Sequence, residues 1–329
     1  MKKILITGAS GFVGSFLVEE ALRRDLEVWA GVRKTSSHVW LTDPRIQFFN
    51  LDFEDEKGLT NLLAHHRFDY VIHSAGVVAA PRKLDYFRVN AEYTQNLVRA
   101  LQRSHLPKKF TFISSLAACG PARSDDLTDF LKDTDPPKPL TTYGQSKLVA
   151  ETTLRNEPDF PWLIFRPTAV YGPRERELFT FIKMVNAHIE AKMGFQKQHL
   201  TFIYVKDLAR VLLDGTLSSQ VQNTYFVADG DYYTPREFGA LVRQALDTWA
   251  IRLTVPAFLA KMAAVGVELV AKMGGRYPVF NREKVAELTA QNWKCDIDPL
   301  VEDFNFHPEY DLEEGLKETI AWYRENKWL

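Results

Sequence analysis

The chain has 329 residues, 46% of them hydrophobic and 25% charged, which suits one large α/β unit with an appended lobe and excludes a disordered or low-complexity protein. Lysine and arginine (41) nearly balance aspartate and glutamate (42), so no basic field exists to recruit nucleic acid, and a small molecule is the expected partner. The two cysteines, Cys119 and Cys295, stand far apart without a cysteine neighbour, so neither a disulfide framework nor a metal site is expected. The apolar run at residues 4–6 is too short for a signal-peptide core, which predicts a cytoplasmic protein.

In chain order, residues 4–6, 28–32, 46–49, 70–72, 110–113 and 162–165 are short apolar runs, the form of strands buried on both faces. Segments of helical period lie between them. Val13, Phe16, Leu17 and Ala21 mark the buried stripe of the first helix, and a longer helix over about 83–103 carries Phe87, Ala91, Thr94 and Val98 on one side. This alternation predicts a Rossmann-type, doubly wound parallel sheet with right-handed crossovers. After Arg166 the pattern loosens, and residues 202–205 and 225–227 read as further strands, so a smaller C-terminal lobe is interleaved with the sheet. The expected division is a dinucleotide-binding unit over 1–170 with a returning segment near 201–228, and a substrate-binding lobe from 171–200 and 229–329.

Gly8, Gly11 and Gly14, in Thr7-Gly8-Ala9-Ser10-Gly11-Phe12-Val13-Gly14, fall between the first strand and the first helix. A diphosphate needs backbone NH groups at a helix N-terminus, and only residues without side chains let it come close. Ser10, Phe12 and Val13 belong to the same expected cradle. A carboxylate after the second strand would bind the ribose hydroxyls of NAD, whereas a cation there favours the 2′-phosphate of NADP. Arg33 and Lys34 follow that strand, so NADP is preferred over NAD; the alternative is that both are solvated turn residues.

Tyr143-Gly144-Gln145-Ser146-Lys147 is a Y-x-x-x-K that puts both side chains on one face of a helix reaching about Leu154. An ammonium beside a phenol stabilises the phenolate and draws its pKa down, so Lys147 is expected to tune Tyr143 as an acid/base. Ser115 ends the fifth strand, where doubly wound folds gather ligands.

These motifs resemble the extended branch of the short-chain dehydrogenase/reductase superfamily, whose glycine loop reads T-G-x-x-G-F-x-G. The resemblance covers nearly the whole chain. Asn90 in a central-helix motif, Arg166-Pro167-Thr168-Ala169-Val170-Tyr171-Gly172-Pro173, residues 202–209 and the ending around 306–323 all match the branch. It implies that Asp52 meets the adenine amine with Phe53 beside it, and that Ser74, Ala75 and Gly76 pass under a cofactor ribose. Pro167 and Val170 would then border the nicotinamide. By the same resemblance Ser115, rather than Ser114, holds a substrate oxygen, Tyr143 moves a proton and Lys147 also binds the ribose. A homodimer through two long helices is implied by analogy.

Leu116 and Ala117 stand where dehydratases of the branch place an acid pair, which disfavours dehydration. The expected activity is NADPH-dependent reduction of a ketone on a bulky apolar or lipid-like substrate. A sugar-nucleotide epimerase and a non-catalytic dinucleotide sensor are the alternatives. The segment 255–273 carries Phe258, Leu259, Met262, Ala263, Gly266, Leu269, Val270 and Met273 as an apolar stripe, with Lys261, Glu268 and Lys272 on the other side. Three charges argue against a transmembrane span. The helix is expected to line an apolar pocket, rest peripherally on a membrane surface, or pack into the lobe's core. Cys119 is either a small buried thiol or a neighbour of the substrate.

Overall fold

The computed structural model describes residues 1–122, 127–273, 277–278 and 280–329. Strands β1 (Lys3–Thr7), β2 (Glu27–Val32), β3 (Gln47–Asn50), β4 (Tyr70–His73), β5 (Lys109–Ile113) and β6 (Trp162–Pro167) alternate with helices α1 (Phe12–Arg23), α2 (Glu56–His66), α3 (Lys83–Phe87), α4 (Tyr93–Ser104) and α5 (Thr142–Arg155). Then come β7 (Ala169–Tyr171), α6 (Glu177–Asn186), β8 (Ile189–Met193), β9 (Phe202–Tyr204), α7 (Val205–Leu217), β10 (Asn223–Val227), α8 (Pro235–Leu246) and β11 (Ile251–Val255). Helices α9 (Ala257–Met273), α10 (Arg282–Thr289), α11 (Asp298–Phe304) and α12 (Leu312–Glu325) complete the chain.

Seven strands form one sheet in the order β10-β6-β5-β4-β1-β2-β3, with every pair parallel. Helices cover both faces. Ile4, Ile6, Val28 and Leu163 pack with α1 and α7 on one side, while Leu5, Val71, Phe110 and Ile164 pack with α2, α4 and α5 on the other. Successive strand residues thus feed two cores, which is why these strands read as unbroken apolar runs. Each fully buried Leu, Ile or Phe contributes about 1.5–3 kcal/mol of apolar burial. Chain order reverses between β1 and β4, the switch point at which doubly wound sheets hold ligands at the carboxyl ends of their strands.

Two sequence expectations shift. Residues 202–204 do form a strand, but β9 pairs with β7 in a separate two-stranded ladder, and Val205 already begins α7. Helix α7 and β10 return to the main sheet, with β10 beside β6, and Leu300 of α11 and Phe306 pack into the same core. The helix expected over about 83–103 is one rod with a π turn at Arg88–Glu92 between α3 and α4. Such turns insert one residue and often mark functional sites. The lobe's own core gathers Tyr171, Tyr204, Phe238, Val242, Leu316 and Tyr323 from α8, α12 and the β7–β9 ladder.

At the end of β6, Arg166 is buried and grips fully buried Glu151 of α5 with two bonds, of 3.0 and 2.6 Å. Ser114 donates to the same carboxylate, and Asp133 takes a further Arg166 bond at 2.5 Å. Removing one member of such a pair leaves an uncompensated buried charge. Arg166→Met is expected to lose about 3–5 kcal/mol in urea unfolding, with Glu151→Gln restoring part of it in the double variant. Unfolding of Arg166→Met at the wild-type midpoint would contradict this.

Candidate active site

The glycine loop is shaped by close backbone approach. Gly8 has φ +66°, and a Cβ on it would stand 2.7 Å from the Ala75 nitrogen; a Cβ on Gly14 would overlap the Gly8 carbonyl. Gly11 caps α1 without a side-chain bond, its nitrogen donating to the Gly8 oxygen at 2.9 Å, and no acid occupies the helix's first turn. Ser10, Phe12 and Val13 are half-buried around it. The first-turn NH groups and the positive end of the helix dipole are therefore directed at the place a diphosphate would take, and the cradle fits a dinucleotide.

The neighbouring strand ends supply the rest of the candidate site. Arg33 and Lys34 are exposed after β2, and the Arg33 guanidinium has no carboxylate partner among the described residues. Exposed Asp52 accepts from the Glu54 nitrogen at 3.0 Å, while buried Phe53 stacks on Tyr93 at 5.9 Å and its carbonyl accepts from Asn96. Ser74, Ala75 and Gly76 are held from below. Asn90, fully buried in the π turn, accepts from the Val77 nitrogen at 2.8 Å and donates to the Val77 oxygen and to Ser146 of α5.

A second network was not legible in the sequence, where His73 reads as a packed strand-end residue. Thr94 donates to the Asn90 carbonyl at 2.8 Å, so its oxygen accepts from His73 Nε2 at 3.0 Å. His73 Nδ1 then accepts from the Thr7 hydroxyl at 2.7 Å, and that hydroxyl accepts from the Ala75 nitrogen at 3.2 Å. The partners fix the Nε2–H tautomer and join β1, β4, the 74–76 segment and the π turn. No spacing rule connects these four positions.

On the opposite wall, Ser115 caps a 3₁₀ turn at Leu116–Ala118, its oxygen accepting from the Ala117 nitrogen at 3.2 Å. Ser115 faces the Tyr143 phenol, whereas Ser114 turns into the Glu151 pair, so geometry separates two serines that sequence register alone distinguishes weakly. Lys147, buried one turn along α5 from Tyr143, donates to the Ile113 carbonyl at 2.8 Å, and its Nζ would lie 3.4 Å from a Cβ on Gly76. Pro167 is buried at the end of β6 and Val170 half-buried in β7. Cys119 is buried, and burial pushes its thiol up to about 12, so it is inert packing.

The electrostatics differ from the sequence expectation. Burial drives the Tyr143 phenol well above its ordinary range; the Ser115 hydrogen bond opposes this, while Glu177, Glu287 and Tyr86 reinforce it. Burial pushes Lys147 down to about 8, with Glu151 opposing. The phenol thus holds its proton at neutral pH, the state a proton donor needs. Two features from the lobe were also missed. Glu283 of α10 accepts from the Thr142 nitrogen and hydroxyl at 2.6 and 2.9 Å, fastening α10 to the start of α5. Lys284 lies 3.6 Å from Glu177 and 3.3 Å from Glu287 on the side facing Tyr143.

The His73 network has a pH signature. Burial, helped by the Lys147 charge, pushes His73 from the ordinary 6.5 down to about 3. Because the unfolded chain takes up a proton that the folded chain refuses, this stability is present above about pH 6.5 and lost as pH falls toward 3. His73→Gln is expected to flatten the fall in unfolding free energy between about pH 7 and about pH 5, measured in urea. An unchanged slope would contradict a neutral buried imidazole.

Comparison with known proteins agrees with this geometry. Residues 4–216 match the NAD dependent epimerase/dehydratase family. The sterol-4-alpha-carboxylate 3-dehydrogenase (decarboxylating) of Candida albicans is 25% identical, with 99% of each chain covered. The ceramide reductase of Caulobacter vibrioides is also 25% identical, over 99% of this chain and 96% of that one. Among solved structures, UDP-glucose 4-epimerase of Thermotoga maritima with UDP-glucose superposes with a TM-score of 0.81 at 20% identity, covering 99% of both chains. UDP-glucuronic acid 4-epimerase of Bacillus cereus in complex with NAD gives 0.78 at 20% identity, covering 98% of this chain and 99% of the other. The chain belongs to the NAD dependent epimerase/dehydratase family and is a nicotinamide-dependent oxidoreductase of the extended short-chain dehydrogenase/reductase type.

Proposed function

We propose that the protein reduces a ketone on a bulky, lipid-like substrate, using NADPH in preference to NADH. The observation that carries this reading is the meeting of a proton-holding Tyr143 with Ser115 and Lys147 at the open end of the sheet. Gly8, Ser10, Gly11, Phe12, Val13 and Gly14 would hold the diphosphate. Asp52 and Phe53 would border the adenine, Ser74, Ala75 and Gly76 the ribose, and Pro167 and Val170 the nicotinamide. Bound nicotinamide supplies the hydride. Ser115 holds the substrate oxygen, Tyr143 gives its phenolic proton to the developing alkoxide, and Lys147 stabilises the phenolate left behind while binding the ribose.

Support for the substrate class comes from the sterol dehydrogenase and the ceramide reductase among the relatives, and from Leu116 and Ala117, which offer no acid pair for dehydration. The free Arg33 guanidinium supports NADPH. A sugar-nucleotide epimerase is the second reading, favoured by the epimerase folds that superpose over nearly the whole chain. The division into a dinucleotide unit over 1–170, with 201–228 returning to it, and a substrate lobe from 171–200 and 229–329 belongs to this proposal. So does a homodimer through α4 and α5.

Tyr143→Phe is expected to lower kcat for NADPH-driven reduction of a long-chain amphiphilic ketone by about 10²–10⁴ while leaving NADPH affinity within about twofold. Near-normal turnover would overturn the assignment. Arg33→Ala is expected to weaken NADPH about tenfold and leave NADH unchanged, read by fluorescence titration. Equal loss for both cofactors would remove the case for NADPH. Epimerisation of a UDP-sugar without net cofactor change would favour the second reading.

A further inference from the structure

Helix α9 is packed by its smallest residues and not by its large ones. Ala260 and Ala264 are its buried contacts, meeting Val285 of α10 with Val255, Met193 and Phe280 around them. Phe258, Met262, Leu269 and Val270 are 63%, 67%, 66% and 71% exposed. Of the sequence expectations, a core helix buried through this stripe is therefore excluded; the side chains of Lys272 and Met273 lie outside the described residues.

The apolar surface continues beyond the helix. In the β8–β11 ladder Ile251 pairs with Ile189, Leu253 with Ala191 and Val255 with Met193, so one face carries only apolar side chains. Its Ile251 and Leu253 remain exposed, and Phe195, 74% exposed, follows Gly194, where a Cβ would lie 4.0 Å from the Ala257 Cβ at the start of α9. The opposite face is polar, with Glu190 buried against Gly239 of α8 and paired to Arg243 and Arg252, and with Arg252 and Thr254 exposed. A helix stripe and a sheet face exposed side by side exceed the scattered apolar residues of an ordinary surface.

Charge indicates what covers it. Glu190 and Glu268, the acids of these elements, are already neutralised, the latter by Arg282 at 3.0 Å. Lys197 and Lys261 are exposed and have no carboxylate partner among the described residues. The patch is thus apolar with surplus positive charge, the combination that holds an amphipathic element at an anionic bilayer surface. A symmetric dimer would instead crowd the unpaired lysines of both copies around one seam. Among the described residues no helix is long and apolar enough to cross a membrane, so the contact is peripheral. A cavity of about 370 Å³, bounded by Glu268 of α9 and by Lys83, Leu140, Tyr277 and Glu283, lies beside the start of α5.

The geometry points to α9, the β8–β11 apolar face and Phe195 as a docking surface for an anionic lipid bilayer. The surface adjoins, through Glu268, the cavity at the start of α5, and it stands whether or not the ketone-reductase reading holds. The test is co-sedimentation of the full chain with vesicles of equal parts phosphatidylcholine and phosphatidylglycerol, against pure phosphatidylcholine. Preferential, salt-sensitive binding to the anionic vesicles is expected. The triple variant Phe258→Ser, Met262→Ser, Val270→Ser is expected to bind at least about tenfold more weakly at unchanged Tm. Lys197→Glu with Lys261→Glu should remove the preference for phosphatidylglycerol. Wild-type protein left in the supernatant, or apolar variants that sediment as wild type, would overturn the proposal. So would a dimer in gel filtration that the triple variant converts to monomer while vesicle binding persists.

Discussion

The site depends on how closely two chain reversals approach where β1 and β4 end. The Gly8 backbone lies so near Ala75 that any Cβ would collide with it, and Thr7, His73 and Thr94 clamp the same junction through a directional set of hydrogen bonds. The glycine loop and the 74–76 segment are thereby fastened to each other. Asn90 extends that junction to α5 through Ser146, one residue before Lys147. A π turn places Asn90 there, so a local departure from α geometry serves the site.

Across the candidate site, burial rather than the neighbouring ammonium governs the protonation of Tyr143 and Lys147. Tyr143 is raised and Lys147 lowered by desolvation, which leaves the phenol protonated and the amine poised near neutrality. The lobe contributes through Glu283, which ties α10 to the first turn of α5, and through the Glu177, Lys284 and Glu287 group facing the phenol. Tyr143 and Lys147 are thus carried by α5 against the sheet, while their electrostatic setting comes partly from the C-terminal segments.

Much of this was legible in the sequence because it is local. Strands buried on both faces write themselves as apolar runs, the glycine spacing follows from one close contact, and Tyr143 and Lys147 share a helix face by period alone. What was not legible depends on residues distant in the chain. The His73 relay joins Thr7, Ala75 and Thr94, and Glu283 meets Thr142 across 141 positions. Partnering of β9 with β7, rather than with the main sheet, is equally non-local, since a short apolar run does not state its neighbour. For α9 the period was legible but the buried side was left open, and it is settled by two alanines that pack against α10 while the bulky stripe stays exposed.

Transfer of label tests the central claim most directly. NADPH carrying deuterium at the transferring face of nicotinamide C4, incubated with the enzyme and a long-chain amphiphilic ketone, should place one deuterium on the carbinol carbon for each NADP formed, read by mass spectrometry. Deuterium retained in the cofactor while a UDP-sugar interconverts, or no transfer to any ketone despite tight NADPH binding, would contradict it.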